Sequence, residues 1–339
     1  MPSARGNLNP ESFMKTCIKN TFLLPALIFS LPLVSASGQG ISSYTAFKTA
    51  VYNQTDATPP VAVDPSGPYY FAVQYFADTT NVITDGVTFI TPDDVNYSID
   101  ISNVDYVDYN SDYFYTKTDM DIAFPDGTYL FSINQDTNYS DLTLPINELY
   151  SSSIPAFTGD TWTNLQSLDP GQPLTLNWNN FTPHSFITSA FTFVRILDES
   201  DNNYVFLDSF LPPGTTSAVL PAGTLNFGGN YRIELIFSNR SDVQNAGFGG
   251  EAEATAGFDN LTYTYFTAIP LNLNITTAGT NIVLSWTNSA SYYSLQYTHD
   301  LTSGEWNFVT NPSTMIGNQI VLTNAICGTN TFFRLEISQ

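Results

Sequence analysis

The amino-acid sequence predicts an all-β protein made of small β-sandwich domains in tandem. Apolar and polar residues alternate with a period of two along much of the chain, as expected for strands with one buried and one solvated face. Between these runs lie short clusters of Pro, Gly, Asn and Asp, which favour turns. No stretch shows a convincing helical period. Many short strands separated by turn residues are typical of sandwiches.

Five runs show the alternation clearly, with apolar residues on one face of the strand and polar residues on the other. The runs are Tyr97–Ile101, Tyr129–Ile133, Leu174–Trp178, Tyr231–Phe237 and Phe333–Ile337. The acidic segment Asp198–Asn203 lies between two further apolar runs, where Asp and Asn favour a hairpin turn. We therefore predict a strand at each run and a turn at 198–203.

The length of 339 residues suggests two or three domains. The Ser-rich stretch Tyr150–Pro155 and the segment Ala268–Pro270 have the composition of linkers. These two boundaries divide the chain into predicted sandwich units at 41–148, 152–266 and 270–339, of which the third is the smallest.

The third unit contains Val283–Trp286, Tyr293–Tyr297, Asp300–Leu301, Trp306 and Phe332–Leu335. This aromatic pattern, from Ile282 to Leu335, resembles a fibronectin type III-like module found near the C-terminus of exported bacterial proteins. The resemblance implies a β-sandwich and says nothing about a catalytic activity.

The second unit contains Asp169–Pro170 followed by Leu174–Asn179, and later Leu220–Leu225 before Tyr231. This order is similar to the early strand with a core Trp, and the turn before a late strand, of Ig-like or fibronectin type III-like modules. The first unit shows an Ig-like strand pattern. The resemblance implies a spacer, an adhesion element or a glycan binder, and the fold alone does not choose among them.

Residues 1–36 have the features of a secretory signal peptide, with Met14 as an alternative start. Lys15 and Lys19 precede the segment Phe22–Ala36, an apolar run that ends in small residues. The run is too short to span a membrane. We therefore predict an exported protein, located outside the cell, at the cell surface or in the periplasm.

The two cysteines, Cys17 and Cys327, cannot pair in the mature chain, because Cys17 lies in the predicted signal peptide. An exported protein of this size without a disulfide suggests a bacterial source. No second apolar stretch is long enough to cross a membrane, so no transmembrane segment is predicted.

Acidic residues outnumber basic residues by 31 to 9, which gives a formal net charge of −22. Removal of residues 1–36 takes away Glu11, Arg5, Lys15 and Lys19, and the remaining 30 acidic and 6 basic residues carry a net charge of about −24. Such a surface repels nucleic-acid phosphates and anionic lipids, which excludes nucleic acid as a partner. The same charge favours solubility and divalent cations.

Five aspartates cluster in the first unit and form a candidate calcium site. Calcium takes several oxygen ligands, but the spacing here is not that of an EF-hand, and the wet face of a strand and its loop would give the same pattern. The candidate metal ligands are Asp105, Asp108, Asp112, Asp119 and Asp121.

Tyrosines in the same unit form a candidate carbohydrate platform, because the apolar faces of sugar rings pack on flat side chains. In an alternating strand, however, half of the aromatic residues point into the core. The candidate carbohydrate-binding residues are Tyr69, Tyr70, Tyr106, Tyr109 and Tyr113. Trp178 and Trp286 are predicted to be core residues.

Catalytic groups are scarce. The histidines, His184 and His299, fall in different predicted units, and the sequence contains no Gly-x-Ser-x-Gly elbow. Isolated histidines also lack the spacing of a metal hydrolase, so no cofactor other than calcium is expected. The chain is therefore predicted not to be an enzyme, although its many carboxylates leave a glycoside hydrolase as an alternative.

Together these patterns favour an exported, non-catalytic structural or adhesion protein of a bacterial cell surface or matrix. Its partners would be glycans or other surface components. The first alternative, a polysaccharide-binding protein, predicts a solvent-facing row of aromatic residues with polar groups beside it. The second alternative, a secreted carbohydrate-active hydrolase, predicts two carboxylates that face each other across a cleft.

Overall fold

The computed structural model describes residues 41–59, 64–77, 86–99, 106–133, 140–146, 149–248, 252–287, 293–317, 319–325 and 330–337. The predicted signal peptide at 1–36 lies outside the described residues, as do Cys17 and Cys327.

The described residues form twenty strands and two short helices. The strands are β1 (Ile41–Asn53), β2 (Tyr69–Ala77), β3 (Val87–Ile90), β4 (Asn96–Ile99), β5 (Tyr106–Asn110), β6 (Gly127–Ile133), β7 (Ser140–Leu144), β8 (Leu174–Asn177), β9 (Ser189–Asp198), β10 (Asn203–Leu211), β11 (Ser217–Leu220), β12 (Asn230–Gly247), β13 (Ala252–Thr267), β14 (Asn274–Ala278), β15 (Asn281–Thr287), β16 (Tyr293–Thr298), β17 (Asn307–Phe308), β18 (Thr314–Ile316), β19 (Gln319–Ala325) and β20 (Phe332–Ile337). The helices are α1 (Lys117–Ala123) and α2 (Thr161–Leu165).

Strands β4, β6, β8, β12 and β20 fall on the five runs whose alternation predicted them. The turn predicted at 198–203 connects the antiparallel strands β9 and β10. There the Asp198 carboxylate accepts hydrogen bonds from the backbone amide and hydroxyl of Ser200, at 2.9 and 2.6 Å. The predicted all-β class is confirmed.

The two helices correct the prediction that the chain has no helical stretch. Helix α1 begins after Thr116, whose hydroxyl accepts a hydrogen bond from the Asp119 amide at 3.1 Å and donates one to the Asp119 carboxylate at 2.6 Å. The helix buries Met120 and has only seven residues. A segment this short does not show a helical period in the sequence. Neither helix in the described part of the chain is long and apolar enough to cross a membrane.

The main sheet has seven strands in the order β10-β9-β12-β13-β1-β2-β5. Strands β12 and β13 are the longest, with 18 and 16 residues, and pair with each other in the interior of the sheet. Strands β1, β2 and β5 come from the predicted unit 41–148, and the others come from 152–266. Hydrogen bonds between β1 and β13 therefore join the two predicted units within one sheet. The domain boundary near residue 150 stays a prediction.

Strand β1 pairs with β13 in parallel over eleven consecutive residue pairs, from Ser43 with Glu253 to Asn53 with Tyr263. The other pairings in this sheet are antiparallel. Because the two strands are parallel, the chain enters β1 at one end of the pair and leaves β13, at Thr267, beyond the opposite end.

The inner face of the main sheet packs against a four-stranded sheet of order β4-β3-β6-β7. Aromatic rings fill the core between the two sheets. Phe71 stacks on Phe124 and Tyr129 with centroid distances of 4.4 and 5.2 Å, and Tyr44 contacts Phe131 at 5.1 Å. Large buried rings let a small sandwich bury enough apolar surface to be stable.

A second core lies farther along the same face, beneath helix α2 and the strand pair β8 and β11. Phe181 stacks on Phe237 at 4.7 Å, and Leu165 of α2 is fully buried. Trp178 is 2% exposed, which confirms the prediction that it is a core residue.

Between the two cores, residues 149–155 run along the inner face; we call them the crossing segment. The buried amide of Asn239 donates a hydrogen bond to Leu149 O at 2.6 Å, and that of Asn260 donates one to Ser151 O at 2.9 Å. The Thr262 hydroxyl donates to Pro155 O at 2.6 Å. The stretch predicted as a linker is therefore fixed to the sheet by side chains that satisfy its backbone carbonyls.

The C-terminal strands, β14 to β20, form a smaller sandwich. Its sheets have the orders β14-β15-β19-β18 and β17-β16-β20. Leu284, Trp286 and Leu322 of the first sheet meet Leu295 of the second in the core. Trp286 is 4% exposed and is a core residue, as predicted. The layers are thus those of the predicted β-sandwich class.

We expect Phe237→Ala to lower the free energy of unfolding by about 3–5 kcal/mol, because it removes a fully buried ring and leaves a cavity against Phe181. Urea denaturation followed by tryptophan fluorescence measures the change. The control Phe308→Ala removes a ring that is 61% exposed and should change the same quantity by less than about 0.5 kcal/mol. Equal effects of the two substitutions would contradict the assigned core.

Candidate functional site

The outer face of the main sheet carries the chain's main cluster of charged and aromatic residues among those described. On β12 the core residues Ile233 and Leu235 point inward, so Arg232, Glu234 and Ile236 point outward. The apolar floor of this face comes from strands β1, β12 and β13, with partly buried rings around it. The floor consists of Val51, Ile236 and Leu261, flanked by Tyr70, Phe193 and Tyr263.

Two guanidinium groups on this floor share one buried carboxylate. Arg195 Nε donates to Glu234 Oε2 at 2.5 Å, and Arg232 Nε lies 2.9 Å from Glu234 Oε1. Glu199 approaches Arg232 at 3.9 Å from the turn after β9. The side chain of Glu234 is 5% exposed and each of the two arginine side chains is 28% exposed. The arginines thus keep one edge in solvent while the glutamate holds them in place.

Two effects determine the pKa values of Glu234, Arg195 and Arg232: the burial of each group and the attraction between the opposite charges. Burial alone would raise the pKa of Glu234, but the guanidinium groups of Arg195 and Arg232 outweigh burial and hold that pKa below its usual value. For both arginines, burial opposes the charged form, and the carboxylate of Glu234 outweighs it, so their pKa values are raised. All three groups are therefore charged across the neutral range.

Tyrosine side chains surround the arginines. The Arg195 guanidinium lies over the Tyr204 ring, 4.7 Å from its centroid, and Tyr204 is 36% exposed. Tyr265 is 50% exposed and contacts Tyr263 edge-on at 5.4 Å. Tyr113 is 57% exposed and contacts Tyr70 edge-on at 5.5 Å.

Arg232 and Glu234 are both close enough to Tyr113 to act on it electrostatically, and Arg232 also interacts with Tyr265. The tyrosines and the arginine pair therefore form one continuous patch, which we call the tyrosine–arginine surface. It consists of Tyr70, Tyr113, Arg195, Tyr204, Arg232, Glu234, Tyr263 and Tyr265.

A second ion pair lies on the outer face, nearer the C-terminal end of β12. Arg240 binds Asp259 through two contacts of 2.8 and 3.3 Å, and both side chains are more than 90% buried. The guanidinium lies between the rings of Phe47 and Phe191, at 5.2 and 5.5 Å. A Cβ at Gly257 would come within 3.0 Å of Arg240 Cδ and 2.0 Å of the Asn239 carbonyl oxygen, so only glycine leaves room for this arrangement.

The predicted carbohydrate-binding tyrosines do not all lie together. Tyr70 and Tyr113 meet on the tyrosine–arginine surface. Tyr109 contacts Phe89 and Phe124 at the edge of the first core, and the half-buried Tyr69 pairs with Ala50. The side chain of Tyr106 lies outside the described residues. Carbohydrate binding by these residues stays a prediction.

The predicted calcium ligands are engaged in separate local contacts. The Asp119 carboxylate accepts a hydrogen bond from Thr116, the N-cap residue of helix α1. Asp108 accepts one from the side-chain amide of Asn110 at 2.5 Å, and Asp121 binds the ammonium groups of Lys48 and Lys117. Asp112 is exposed.

Asp105 lies outside the described residues. Within the described ranges, no group of three or more His, Cys, Asp or Glu side chains is arranged to hold a metal ion. The calcium site stays a prediction.

The sequence interpretation missed all three residues: it treated Arg232 and Glu234 as the wet face of their strand and gave no role to Arg195. The sequence offered one signal in a chain with few basic residues. Arg232 lies in an alternating run, and Arg195 is flanked on both sides by apolar residues. Cross-strand pairing of β9 with β12, which places Arg195 opposite Glu234, is not visible in the sequence.

No protein-family model matches the chain, and no curated protein matches its sequence. Solved structures similar to parts of it include the FN1–FN3 domains of chicken CNTN1, at 11% identity and a TM-score of 0.23, covering 84% of this chain and 92% of that one. A two-domain fibronectin type III segment of chicken tenascin has 11% identity and a TM-score of 0.19, covering 58% of this chain and 93% of that one.

The BSP domain of a biofilm-associated protein has 14% identity and a TM-score of 0.18. That match covers 68% of this chain and 30% of the other. TM-scores of this size carry no inference about function, and the fold class rests on the sheets described above.

We expect Glu234→Gln to lower the free energy of unfolding at pH 7 by about 3 kcal/mol, because it leaves two guanidinium groups without their carboxylate. The folded-state pKa of Glu234 is lowered, so its contribution is complete above its unfolded pKa near 4.5 and is lost as the pH falls through the folded value. Urea denaturation of both proteins between pH 7 and pH 3 should show the difference shrink on acidification.

Glu199→Gln is the matched control, because Glu199 is 32% exposed and 3.9 Å from Arg232. Its effect should stay below about 1 kcal/mol at every pH. A difference between Glu234→Gln and the unaltered protein that does not depend on pH would contradict the ion-pair assignment.

Proposed function

We propose that the chain is an exported, non-catalytic structural or adhesion protein of a bacterial cell surface or matrix, and that its main sheet transmits tension. The observation that carries the proposal is the parallel pairing of β1 with β13 over eleven residue pairs. Tension applied before Ile41 and after Thr267 pulls the two strands in opposite directions along their lengths.

In this geometry the hydrogen bonds between the strands lie across the direction of pull. The evenly spaced bonds of a parallel pair share the force, so they must break together and not one after another. Forced unfolding depends on the barrier to unfolding, and a barrier that requires many bonds to break at once is high. A protein that holds a cell to a surface or to a neighbour needs this property.

Pulling direction tests the proposal. In a background with Cys17→Ser and Cys327→Ser, handles at Ser42→Cys and Thr267→Cys shear β1 against β13, because they sit at opposite ends of the pair. Handles at Ala57→Cys and Thr267→Cys act at the same end and peel the strands apart. All three handle positions are exposed.

Single-molecule force spectroscopy should give a severalfold higher unfolding force in the shearing geometry. Unfolding forces that are equal and low in both geometries would contradict a tension-bearing role.

Polysaccharide binding is the second candidate function, and the tyrosine–arginine surface favours it. Tyr113 and Tyr265 offer exposed ring faces, and the edges of Arg195 and Arg232 offer hydrogen-bond donors that Glu234 holds in place. Rigid rings beside fixed polar groups suit a sugar, which has apolar faces and a rim of hydroxyls.

Binding of the purified chain to a panel of polysaccharides, with calcium and with a chelator, tests this candidate. Tyr113→Ala and Tyr265→Ala should each weaken binding by about thirtyfold, as expected when a central aromatic contact of about 2 kcal/mol is lost. The control Phe308→Ala, which removes an exposed ring in the C-terminal sandwich, should bind normally. Loss of binding with chelator would point to the aspartates at 105–121, and no retention on any polysaccharide would contradict the candidate.

A further inference from the structure

Lys48 is the one fully buried lysine of the described chain, and it lies in an aromatic core. It is on β1, with 0% of its side chain exposed. Its cross-strand neighbours are Phe71 on β2 and Phe258 on β13, both buried. A lone ammonium group in such a place is strongly unfavourable, so the groups that meet it determine what it does.

Two carboxylates meet the Lys48 ammonium group. Nζ lies 2.6 Å from Asp121 Oδ1, on helix α1, and 2.6 Å from Asp126 Oδ1, in the turn before β6. The Asp121 side chain is 30% exposed and that of Asp126 is 17% exposed. An amine and a carboxyl group held this close and shielded from water can condense, because proximity replaces the need for an activated reactant.

The two carboxylates differ in their surroundings, which gives them different roles. Asp121 also binds the ammonium group of Lys117 through its other oxygen, so each of its two carboxylate oxygens meets an ammonium group. Asp126 is the more buried of the two, and Lys48 is its cationic partner among the ion pairs of the described residues. Because Asp121 is bound to two ammonium groups and Asp126 to one, Asp126 is the carboxyl group that is attacked and Asp121 is the base.

We propose that Lys48 and Asp126 form an intramolecular isopeptide bond, with Asp121 as the proton carrier. The Lys48 ammonium group gives one proton to the Asp126 carboxylate, and Nζ then attacks Cγ of the resulting carboxyl group. The Asp121 carboxylate takes a second proton from Nζ and passes it to the departing hydroxyl. The Nζ–Cγ bond forms, the Cγ–OH bond breaks, and the hydroxyl leaves as water. One ammonium and one carboxylate become an amide and a water molecule, with no change of oxidation state and no other reactant.

The site favours the amide product. Condensation removes two charges from an apolar core, where each carries a large desolvation cost. The surrounding rings of Phe71, Phe124 and Tyr129 restrict the access of water that would hydrolyse the amide. The bond would tie β1 to the segment after α1 and close a covalent loop between Lys48 and Asp126, which are 78 positions apart in the sequence.

Peptide mapping of the full, unaltered chain by mass spectrometry tests the proposal without any substitution. Trypsin does not cleave after an acylated lysine, so the expected product is a branched peptide that contains Lys48 and Asp126 and is one water molecule lighter than its parts. Cleavage after Lys48 and two separate, linear peptides would overturn the proposal. A branch at Asp121 would overturn the assignment of the two carboxylates.

A matched pair of substitutions tests the role of Asp121. Asp121→Asn keeps both reacting residues but removes the base, so the branched fraction should fall at least tenfold. Lys117→Gln removes the other charged partner of Asp121 and should leave the branched peptide in place. Equal branching in both variants would overturn the role of Asp121.

Force spectroscopy gives an independent readout. The covalent loop would withhold 78 positions of chain from extension, so the unfolded length should be shorter by roughly 260–280 Å than in Lys48→Met. Equal lengths in the two proteins would overturn the bond.

Discussion

The parallel contact between β1 and β13 is the constraint on which the rest of the structure depends. Strand β13 also pairs with β12 along nearly its whole length, and β1 also pairs with β2, so this contact joins the two halves of the main sheet. The aromatic core around Phe71 contains residues of β1 and β2 from one half and of β13 from the other, and the core around Phe237 contains residues of β9, β12 and β13. Without the contact, each half would expose an unpaired edge in the middle of the molecule.

Both faces of the main sheet carry buried polar side chains that bind specific groups lying on that face. On the inner face, Asn239 and Asn260 supply the hydrogen bonds that the crossing segment would otherwise lack. On the outer face, Glu234 and Asp259 form ion pairs with three arginines in a chain that has only nine basic residues. A third of the basic residues of this strongly acidic chain therefore lie on one surface, where each of them contacts neighbouring aromatic side chains.

Local structure was accessible from the sequence, whereas long-range pairing was not. The alternation at Tyr231–Phe237 indicates a strand because it reflects one strand's own two faces. The partner of β1 lies about two hundred positions away, and no local pattern encodes that choice. The same limit hid the candidate site: Arg195 and Glu234 each look like solvated residues until β9 and β12 are paired. Lys48 looked equally ordinary, because its burial depends on Asp121 and Asp126 from another part of the chain.

The crossing segment has a consequence for the asparagines that hold it. Asn239 and Asn260 both begin Asn-x-Ser/Thr sequons, Asn239-Arg240-Ser241 and Asn260-Leu261-Thr262. Both side chains are at most 1% exposed, and their amide nitrogens, the atoms that would carry an N-linked glycan, are bonded to the crossing segment. A glycan at either position would push that segment off the sheet and separate the two cores. Folding and N-glycosylation at these two asparagines therefore exclude each other, so secretion through a glycosylating compartment would divert part of the chains from the native state.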